Sequence, residues 1–228
     1  MIKKREAEKR GVFKTNHSLT ELSFSFGSYF DPLWMGFRDL RVLNEYTLYP
    51  KSFFDDSRFK NIEVITFVID GVLEFKDSLN HHYTLSSEEA QVLSPGNNYE
   101  YSLYNSSDKN EVRFIQFWLA PRGFLAKNKV EKLVLPKKTN TISPLSLCEK
   151  NKNELSEYAL VSYGEMLKKQ KINIDPTKSY WLQILEGEGT CSNLNFGTGD
   201  GFLVEMEKSI SLESSKGCKC ILVEFQNS

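Results

Sequence analysis

The chain has 228 residues, of which 40% are hydrophobic and 13% aromatic, so it can form one large domain or two small ones with full cores. Charge is almost balanced, with 29 Lys and Arg residues against 30 Asp and Glu residues. A balanced chain has no long-range field that attracts a polyanion, and the composition therefore argues against non-specific nucleic-acid binding.

The N-terminal segment, MIKKREAEKRG, is charged and lacks the apolar run of a secretion signal. No stretch of the chain approaches the roughly 18 apolar residues needed to cross a bilayer. Basic residues alternate with glutamates in this segment, which indicates a solvated leader rather than a nucleic-acid arm. We therefore expect a cytoplasmic protein without nucleic-acid or membrane partners.

Short runs of β-branched and aromatic residues, bounded by Gly, Asn, Asp and Ser, follow one another along the chain and predict strands. Many short strands with closely spaced turns indicate a sandwich or a barrel. The best candidate for a helix is residues 153–169, NELSEYALVSYGEMLKK, beginning at Asn153. The predicted strands are VITFVI (64–69), VLEF (72–75), QVL (91–93), VRFIQFWL (112–119), YWLQIL (180–185), GFLVEM (201–206), SISL (209–212) and CILVEF (220–225).

The second half of the chain repeats the order of elements in the first half. In each half a hairpin is followed by two strands and a closing strand, and Asp70-Gly71 corresponds to Glu186-Gly187. The repeat predicts an all-β protein made of two copies of one small barrel. We expect the domains to be residues 1–135 and 153–228, joined by a polar linker that contains Lys and Pro, residues 136–152.

The chain contains four cysteines, and only Cys218 and Cys220 are close in sequence. On a strand their side chains would face the same side without forming the Cys-x-x-Cys knuckle of zinc sites. Because a secretion signal is lacking, we interpret all four as reduced, mostly structural thiols. They are Cys148, Cys191, Cys218 and Cys220.

The segment SYFDPLWMGFRDLRVLNE, residues 28–45, closely resembles a signature of the pirin family, two-barrel cupins of bacteria and eukaryotes. The resemblance continues through KNIEVITFVIDGVLEFKDSLN, SPGNNYEYSLYNSS and RFIQFWLAP, and covers roughly residues 5–121; the second half matches loosely. It implies a bicupin, with two tandem jelly-roll barrels. A likeness of this kind carries fold better than function.

The resemblance implies a divalent metal, usually iron, held in the first barrel by a His-x-His pair and a His-x-Glu pair. Residues two apart on a strand face the same side and can converge on one ion. Here the first pair falls on Ser57 and Phe59, and the second on Tyr101 and Leu103. Phe59 and Leu103 have no donor atom. Ser57 is a poor ligand, and Tyr101 would have to lose a proton whose usual pKa is about 10.

We therefore predict no cofactor, and we expect the four replaced positions to border a ligand pocket that is either open or filled. Glu63, Phe67 and Asn105 are further candidates for this pocket. Glu63 stands where other cupins place a carboxylate ligand, and Asn105 matches an asparagine of the family. One carboxylate and one phenol are too few ligands for a transition metal.

Other polar groups offer no replacement site. The only histidines are His17, His81 and His82. His81 and His82 lie in a polar turn that should point away from the barrel mouth, and His17 lies in the polar leader. Asp55 and Asp56 are adjacent and would face opposite ways on an extended strand, so they make a poor acid–base pair. We predict no catalytic residue.

Three functions remain open. The first is a metal-free module that binds a small molecule or a protein and has no dioxygenase activity. The second, implied by the resemblance, is a metal-dependent oxidoreductase like quercetin 2,3-dioxygenase, a reaction that needs an open metal site built from imidazole and carboxylate. The third, implied by eukaryotic pirins, is a regulatory protein-interaction factor. The four replaced ligands favour the first.

Overall fold

The computed structural model describes residues 1–55, 61–94, 99–120, 129–135, 139–147 and 159–226. This part of the chain consists of strands joined by turns and one short 3-10 helix, Ala7–Lys9, which confirms the predicted all-β class. No helix within it is long and apolar enough to cross a membrane. The strands in chain order are β1 (Ile2–Arg5), β2 (Gly11–Lys14), β3 (Ser18–Leu22), β4 (Leu40–Leu48), β5 (Phe53–Asp55), β6 (Glu63–Asp70), β7 (Val72–Asp77), β8 (His82–Ser86), β9 (Ala90–Ser94), β10 (Tyr101–Tyr104), β11 (Val112–Leu119), β12 (Lys129–Val134), β13 (Thr141–Pro144), β14 (Ser146–Leu147), β15 (Ala159–Met166), β16 (Gln170–Asn173), β17 (Ser179–Gly187), β18 (Gly189–Cys191), β19 (Leu194–Phe196), β20 (Gly201–Glu205), β21 (Ser209–Glu213) and β22 (Cys218–Phe225).

The chain forms two compact units. The first unit comprises Gly11–Val134 and Leu147–Asn151, and the second comprises Met1–Arg10, Leu135–Ser146 and Lys152–Ser228. Within the described ranges, the first unit has a large sheet in the order β14-β12-β9-β6-β11-β4-β3-β2 and a small sheet in the order β5-β10-β7-β8. The second unit has a large sheet in the order β1-β20-β17-β22-β15-β13 and a small sheet in the order β16-β21-β18-β19.

These strand orders confirm the predicted repeat. The run β12-β9-β6-β11-β4-β3 of the first unit corresponds to β1-β20-β17-β22-β15-β13 of the second, and the small sheets correspond strand for strand. Paired sheets of this order form the jelly roll of a cupin barrel. The hairpin turns also match, because Gly71 (φ 86°) and Gly187 (φ 104°) both adopt the positive φ that glycine tolerates without strain.

The N-terminal strand belongs to the second unit. β1 lies at the edge of that unit's large sheet, where Ile2 pairs with Val204 of β20. Residues 1–10 were expected to be part of a first domain spanning residues 1–135, and their place in the second unit corrects that boundary. The pairing joins strands about two hundred positions apart, so local sequence pattern carries no signal for it.

The described part of the predicted linker (residues 136–152), which is residues 139–147, contains two short strands. β13 pairs with β15 in the second unit, and β14 borders β12 in the first unit. Both strands lie at sheet edges, and polar residues are common on edge strands because they discourage further pairing. The polar composition that indicated a linker is therefore compatible with strands here.

The helix predicted for residues 153–169 is wrong where the structure describes it. Ala159–Met166 form a strand that pairs with β22 along its whole length, and residues 153–158 lie outside the described residues. Val161 and Tyr163 are buried on this strand. β-branched and aromatic residues pack well on a pleated surface, and tertiary pairing here outweighs the weak helical pattern.

Apolar side chains from both sheets fill the interior of the first unit. The alternation of strand residues places every second side chain inside. This cluster, called the first-unit core below, consists of Val42, Tyr46, Leu48, Val64, Val68, Leu73, Phe75, Leu85, Leu93, Tyr99, Tyr101, Leu103, Val112, Phe114 and Trp118, with Phe26, Phe54, Ile62, Tyr83 and Val130 packed against it.

Candidate functional site

Tyr101 and Leu103 lie on β10, in the middle of the small sheet of the first unit. Leu103 pairs with Phe75 of β7 on one side and with Phe54 of β5 on the other. Tyr101 is 4% exposed and Leu103 is fully buried, and both belong to the first-unit core. The structure therefore places two of the four positions on which the resemblance predicts metal ligands among packed apolar side chains.

Aromatic rings pack around Tyr101. Its ring stacks on Phe75, with centroids 6.2 Å apart and planes inclined by 23°, and lies 6.4 Å from the ring of Tyr99. Phe75 also stacks on Tyr83 at 4.9 Å. Such aromatic pairs add stabilisation beyond area burial. Ser57 and Phe59, the other two replaced positions, lie outside the described residues.

Glu63 and Phe67 face away from this aromatic cluster. Both alternate along β6 with Val64 and Val68, which belong to the first-unit core. Side chains one apart on a strand point to opposite faces. Glu63 is buried on its own face and accepts a hydrogen bond of 3.2 Å from the Ser94 hydroxyl. Glu63 and Phe67 were predicted to border the same pocket as Tyr101, but they lie on the other face of the sheet.

Asn105 joins the loop after β10 to the end of β4. Its side-chain NH₂ donates to the carbonyl oxygens of Leu48 and Tyr49, both at 3.0 Å, and of Asn110 at 2.8 Å. Its Oδ1 accepts from the backbone N–H of Ser107 at 3.0 Å. Because these bonds use the amide on both ends, Asn105 organises the loops and offers little to a ligand.

A buried polar row crosses the interior of the first unit, and the sequence patterns did not lead us to it. Asn44, Gln116, Thr66 and Gln91 lie side by side on β4, β11, β6 and β9, and each is at most 1% exposed. Each lies two positions along its strand from a residue of the first-unit core, so all four point inward. Their sequence signal is a polar residue inside an otherwise apolar strand, as in VITFVI and VRFIQFWL.

Hydrogen bonds satisfy only part of this row. The Gln116 amide donates to the Thr66 hydroxyl at 3.1 Å, and the Tyr83 hydroxyl donates to Gln91 Oε1 at 2.6 Å. Within the described residues, Asn44 Oδ1 and Gln91 Nε2 are buried without a hydrogen-bond partner. Among its described residues this row therefore keeps one free acceptor and one free donor, which is unusual for a packed core.

A buried carboxylate closes the turn after β7, where Asp77 pairs in register with Tyr101. Asp77 accepts hydrogen bonds of 2.6 Å from the Tyr99 hydroxyl and from His81 Nδ1, and two more from the backbone N–H groups of Leu79 and His81. Burial alone raises the pKa of Asp77, but these hydrogen bonds together outweigh it and lower that pKa. The His81 side chain is half exposed.

The residues that the structure describes do not fit a divalent metal. Across the ranges that the structure describes, no group of three or more His, Cys, Asp or Glu side chains is placed to hold an ion. Leu103 has no donor atom, and the Tyr101 ring stacks on Phe75 within the first-unit core. Transition metals need several converging nitrogen, sulfur or oxygen ligands.

Family profiles match both halves of the chain. A family profile described as Pirin matches residues 4–119, and a profile described as quercetinase C-terminal cupin domain matches residues 157–225. With a two-barrel, all-β fold and matching profiles for each barrel, the protein is a bicupin. It belongs to the pirin family.

Named relatives cover almost the whole chain or about half of it. The quercetin 2,3-dioxygenase of Escherichia coli (strain K12) is 27% identical over 234 aligned positions, covering 99% of each chain. The pirin-like protein YhaK of the same organism is 34% identical over 119 positions, covering 52% of this chain and 51% of YhaK. The resemblance to pirins inferred from the sequence is thereby confirmed.

Solved structures agree with the fold. The crystal structure of YhhW from Escherichia coli superposes with a TM-score of 0.87 at 23% identity, over 100% of this chain and 99% of YhhW. YhhW in complex with nickel(II) gives 0.84 at the same identity, covering 100% of each chain. A quercetin 2,3-dioxygenase from Acinetobacter baumannii gives 0.77 at 12% identity, over 99% of this chain and 79% of that one. At these identities the likeness concerns the fold alone.

Proposed function

We propose that this pirin-family protein is a metal-free binding module whose first barrel does not carry out the dioxygenase reaction for which several relatives are named. The observation that carries the proposal is the packing of Tyr101 and Leu103 into the first-unit core. A metal ion at this place would lose its hydration shell among apolar side chains. Because no protein ligands would compensate for the lost water, binding would be strongly unfavourable.

The proposed ligand is a small molecule or a protein, and the proposal includes neither a nucleic acid nor a membrane. Balanced charge supports this choice, because the chain carries a formal net charge of only −1. The free acceptor of Asn44 and the free donor of Gln91 in the interior support a polar small molecule. A cytoplasmic location is part of the same proposal.

The alternative is a metal-dependent oxidoreductase, and the names of relatives such as the quercetin 2,3-dioxygenase of Escherichia coli favour it. The nickel(II) complex of YhhW likewise concerns a protein of the same fold. A regulatory protein-interaction role is the third candidate, and no side-chain arrangement in the described residues favours it.

Metal analysis separates the first two functions. The protein is purified without chelator, and its iron, nickel and zinc contents are measured together with those of a variant carrying Ser57→His, Phe59→His, Tyr101→His and Leu103→Glu. We expect substoichiometric metal in the natural protein and a higher nickel content in the variant. A second variant, His81→Ala with His82→Ala, removes these exposed histidines and serves as the control for adventitious metal binding at exposed imidazoles.

Stoichiometric metal that persists in the His81→Ala/His82→Ala variant would overturn the proposal. Oxygen consumption with a flavonol supplies the second measurement. The proposal expects none above the protein-free rate. Oxygen-dependent flavonol turnover that is abolished by Tyr101→Phe would favour the dioxygenase alternative.

A further inference from the structure

We propose that the outward face of the small sheet in the first unit binds a short, neutral oligosaccharide. This face is opposite to Tyr101 and Leu103 on the same strands, so the proposal does not depend on whether the barrel holds a metal. The face consists of Phe53, Tyr104, Glu74 and Thr84, called the outer row below, together with Lys76 and His82.

The outer row crosses all four strands of the sheet in register. Phe53 pairs with Tyr104, Tyr104 with Glu74, and Glu74 with Thr84. Neighbouring strands lie about 4.8 Å apart, so the row extends over about 14 Å. This length exceeds a single sugar ring, which favours an oligosaccharide over a monosaccharide.

One end of the row is aromatic and exposed. The Phe53 ring stacks on Tyr104, with centroids 5.9 Å apart, and 56% of Phe53 is exposed. The Lys76 ammonium lies 4.9 Å from the centre of the Tyr104 ring. Tyr104 is therefore held between two neighbours and supports Phe53, whose outer face stays free. An exposed aromatic face can pack against the C–H face of a sugar ring, burying apolar surface on both.

The centre of the row is a fixed hydrogen-bond acceptor. Glu74 Oε1 lies 2.7 Å from Lys76 Nζ and 2.7 Å from His82 Nε2, and Glu74 Oε2 accepts from the Ser106 hydroxyl. The bond from Lys76, followed by those from Ser106 and His82, lowers the pKa of Glu74 to about 2. A carboxylate has about four acceptor positions, and three donors leave one for a hydroxyl group of a ligand.

A groove continues the row toward hydroxyl and amide groups. Its volume is about 330 Å³, and its lining includes the apolar side chains of Val72 and Val112 as well as Glu74, Thr84, Ser106, Asn110 and Glu111. That volume is at the lower end of the range for small-molecule sites. Hydroxyl and amide groups both donate and accept hydrogen bonds, which matches the mixed donors and acceptors of a sugar.

Charge on this face selects a neutral ligand. Lys76 and His82 are already paired with Glu74, and Glu111 adds a negative charge at the groove. An anionic ligand would meet two carboxylates, and a cationic ligand would compete with Lys76 for Glu74. A neutral polyhydroxylated ligand can use the aromatic ring and the remaining hydrogen-bond positions without breaking an ion pair.

The experiment measures binding of four neutral trisaccharides, maltotriose, cellotriose, xylotriose and triacetylchitotriose, by saturation-transfer NMR and calorimetry at millimolar concentrations. We expect saturable binding of at least one. Phe53→Ala should weaken it about tenfold and Phe53→Trp should retain it, because the stacking surface is lost only in the first variant. Glu74→Gln should also weaken it, through loss of the charged acceptor.

Phe13→Ala is the matched control, because Phe13 lies on β2 in the other sheet of the same unit and is likewise 56% exposed. It should leave the affinity unchanged. Thermal unfolding of each variant shows whether the fold is retained. The proposal is overturned if none of the four trisaccharides binds saturably, or if binding survives both Phe53→Ala and Glu74→Gln in folded protein.

Discussion

Phe75 and Tyr101 stack on neighbouring strands inside the first-unit core, with their ring centroids 6.2 Å apart and their planes inclined by 23°. Pairing in register places Leu103 beside Phe75 as well. Tyr101 and Leu103, on which the predicted His-x-Glu pair falls, thus both pack within this core. Because these side chains are packed, shortening one of them should destabilise the protein.

Leu103→Ala should lower the free energy of unfolding by about 3 kcal/mol, because a fully buried leucine leaves a cavity when it is shortened. Urea denaturation followed by tryptophan fluorescence measures the change. Leu194→Ala, at a position 38% exposed in the second unit, serves as control and should change stability by less than about 0.5 kcal/mol. A loss below about 1 kcal/mol at Leu103 would instead indicate open space around it.

Asn105→Ala should destabilise the protein by about 2–3 kcal/mol, because it leaves the carbonyl oxygens of Leu48, Tyr49 and Asn110 without their donor. Urea denaturation again gives the value. Asn195→Ala is the control at an exposed strand position and should have little effect. If Asn105→Ala leaves stability unchanged and abolishes only ligand binding, then Asn105 lines a pocket, and the interpretation that it stabilises the loops is wrong.

The architecture could be predicted from the sequence, whereas the orientation of several site residues could not. Turn residues and short strands repeat along the chain, so the two barrels follow from local pattern. VITFVI, however, is apolar on both faces of β6, and periodicity cannot tell which face is interior. Glu63 was grouped with Tyr101 because other cupins place a carboxylate ligand there, but the structure places Glu63 and Phe67 on the opposite face of β6 from the core.

Stability should depend on the ionisation of Glu74 at low pH. Its folded-state pKa of about 2 lies below the ordinary value of 4.5, so folding favours the charged form. This contribution is complete above about pH 4.5 and is lost as pH falls toward about 2. Glu74→Gln should therefore be least stable relative to the natural protein near neutral pH, and the difference should shrink on acidification.

Urea denaturation at a series of pH values between about 3 and 7 tests this dependence. Lys76→Met removes the hydrogen bond that contributes most to the lowered pKa of Glu74. In this variant only part of the pH-dependent stabilisation should remain. A stability difference between Glu74→Gln and the natural protein that stays constant across this range would contradict the assigned hydrogen bonds.

The two matching hairpin glycines should resist substitution to different degrees. An alanine at Gly71 would place its Cβ 2.9 Å from the carbonyl oxygen of Glu111, and one at Gly187 would lie 2.5 Å from that of Gly217. Positive φ adds about 1–2 kcal/mol at each site. We expect Gly187→Ala to be the more destabilising, with Gly197→Ala near neutral because nothing lies within 4 Å of its Cβ. Thermal unfolding of all three variants gives the order, and an equal effect at the three sites would contradict it.

Three cysteines of the second unit should be unreactive in the folded protein. Cys191, Cys218 and Cys220 are buried in an apolar cluster, and burial raises the pKa of Cys191 to about 12, that of Cys218 to about 11, and that of Cys220 further. At pH 8 even Cys218 would be a thiolate in only about one molecule in a thousand, and the thiolate is the reactive form.

Labelling with a chromogenic disulfide reagent tests the prediction in a Cys148→Ser variant, since Cys148 lies outside the described residues. Native protein should release colour only as fast as it unfolds, whereas protein in concentrated urea should release three equivalents at once. Burial of each thiol both blocks the reagent and disfavours the reactive thiolate. The labelling rates of native and unfolded protein should therefore differ by orders of magnitude. A rapid phase in the native state would mean that at least one of these cysteines is accessible and ionised, and their interpretation as structural thiols would then be wrong.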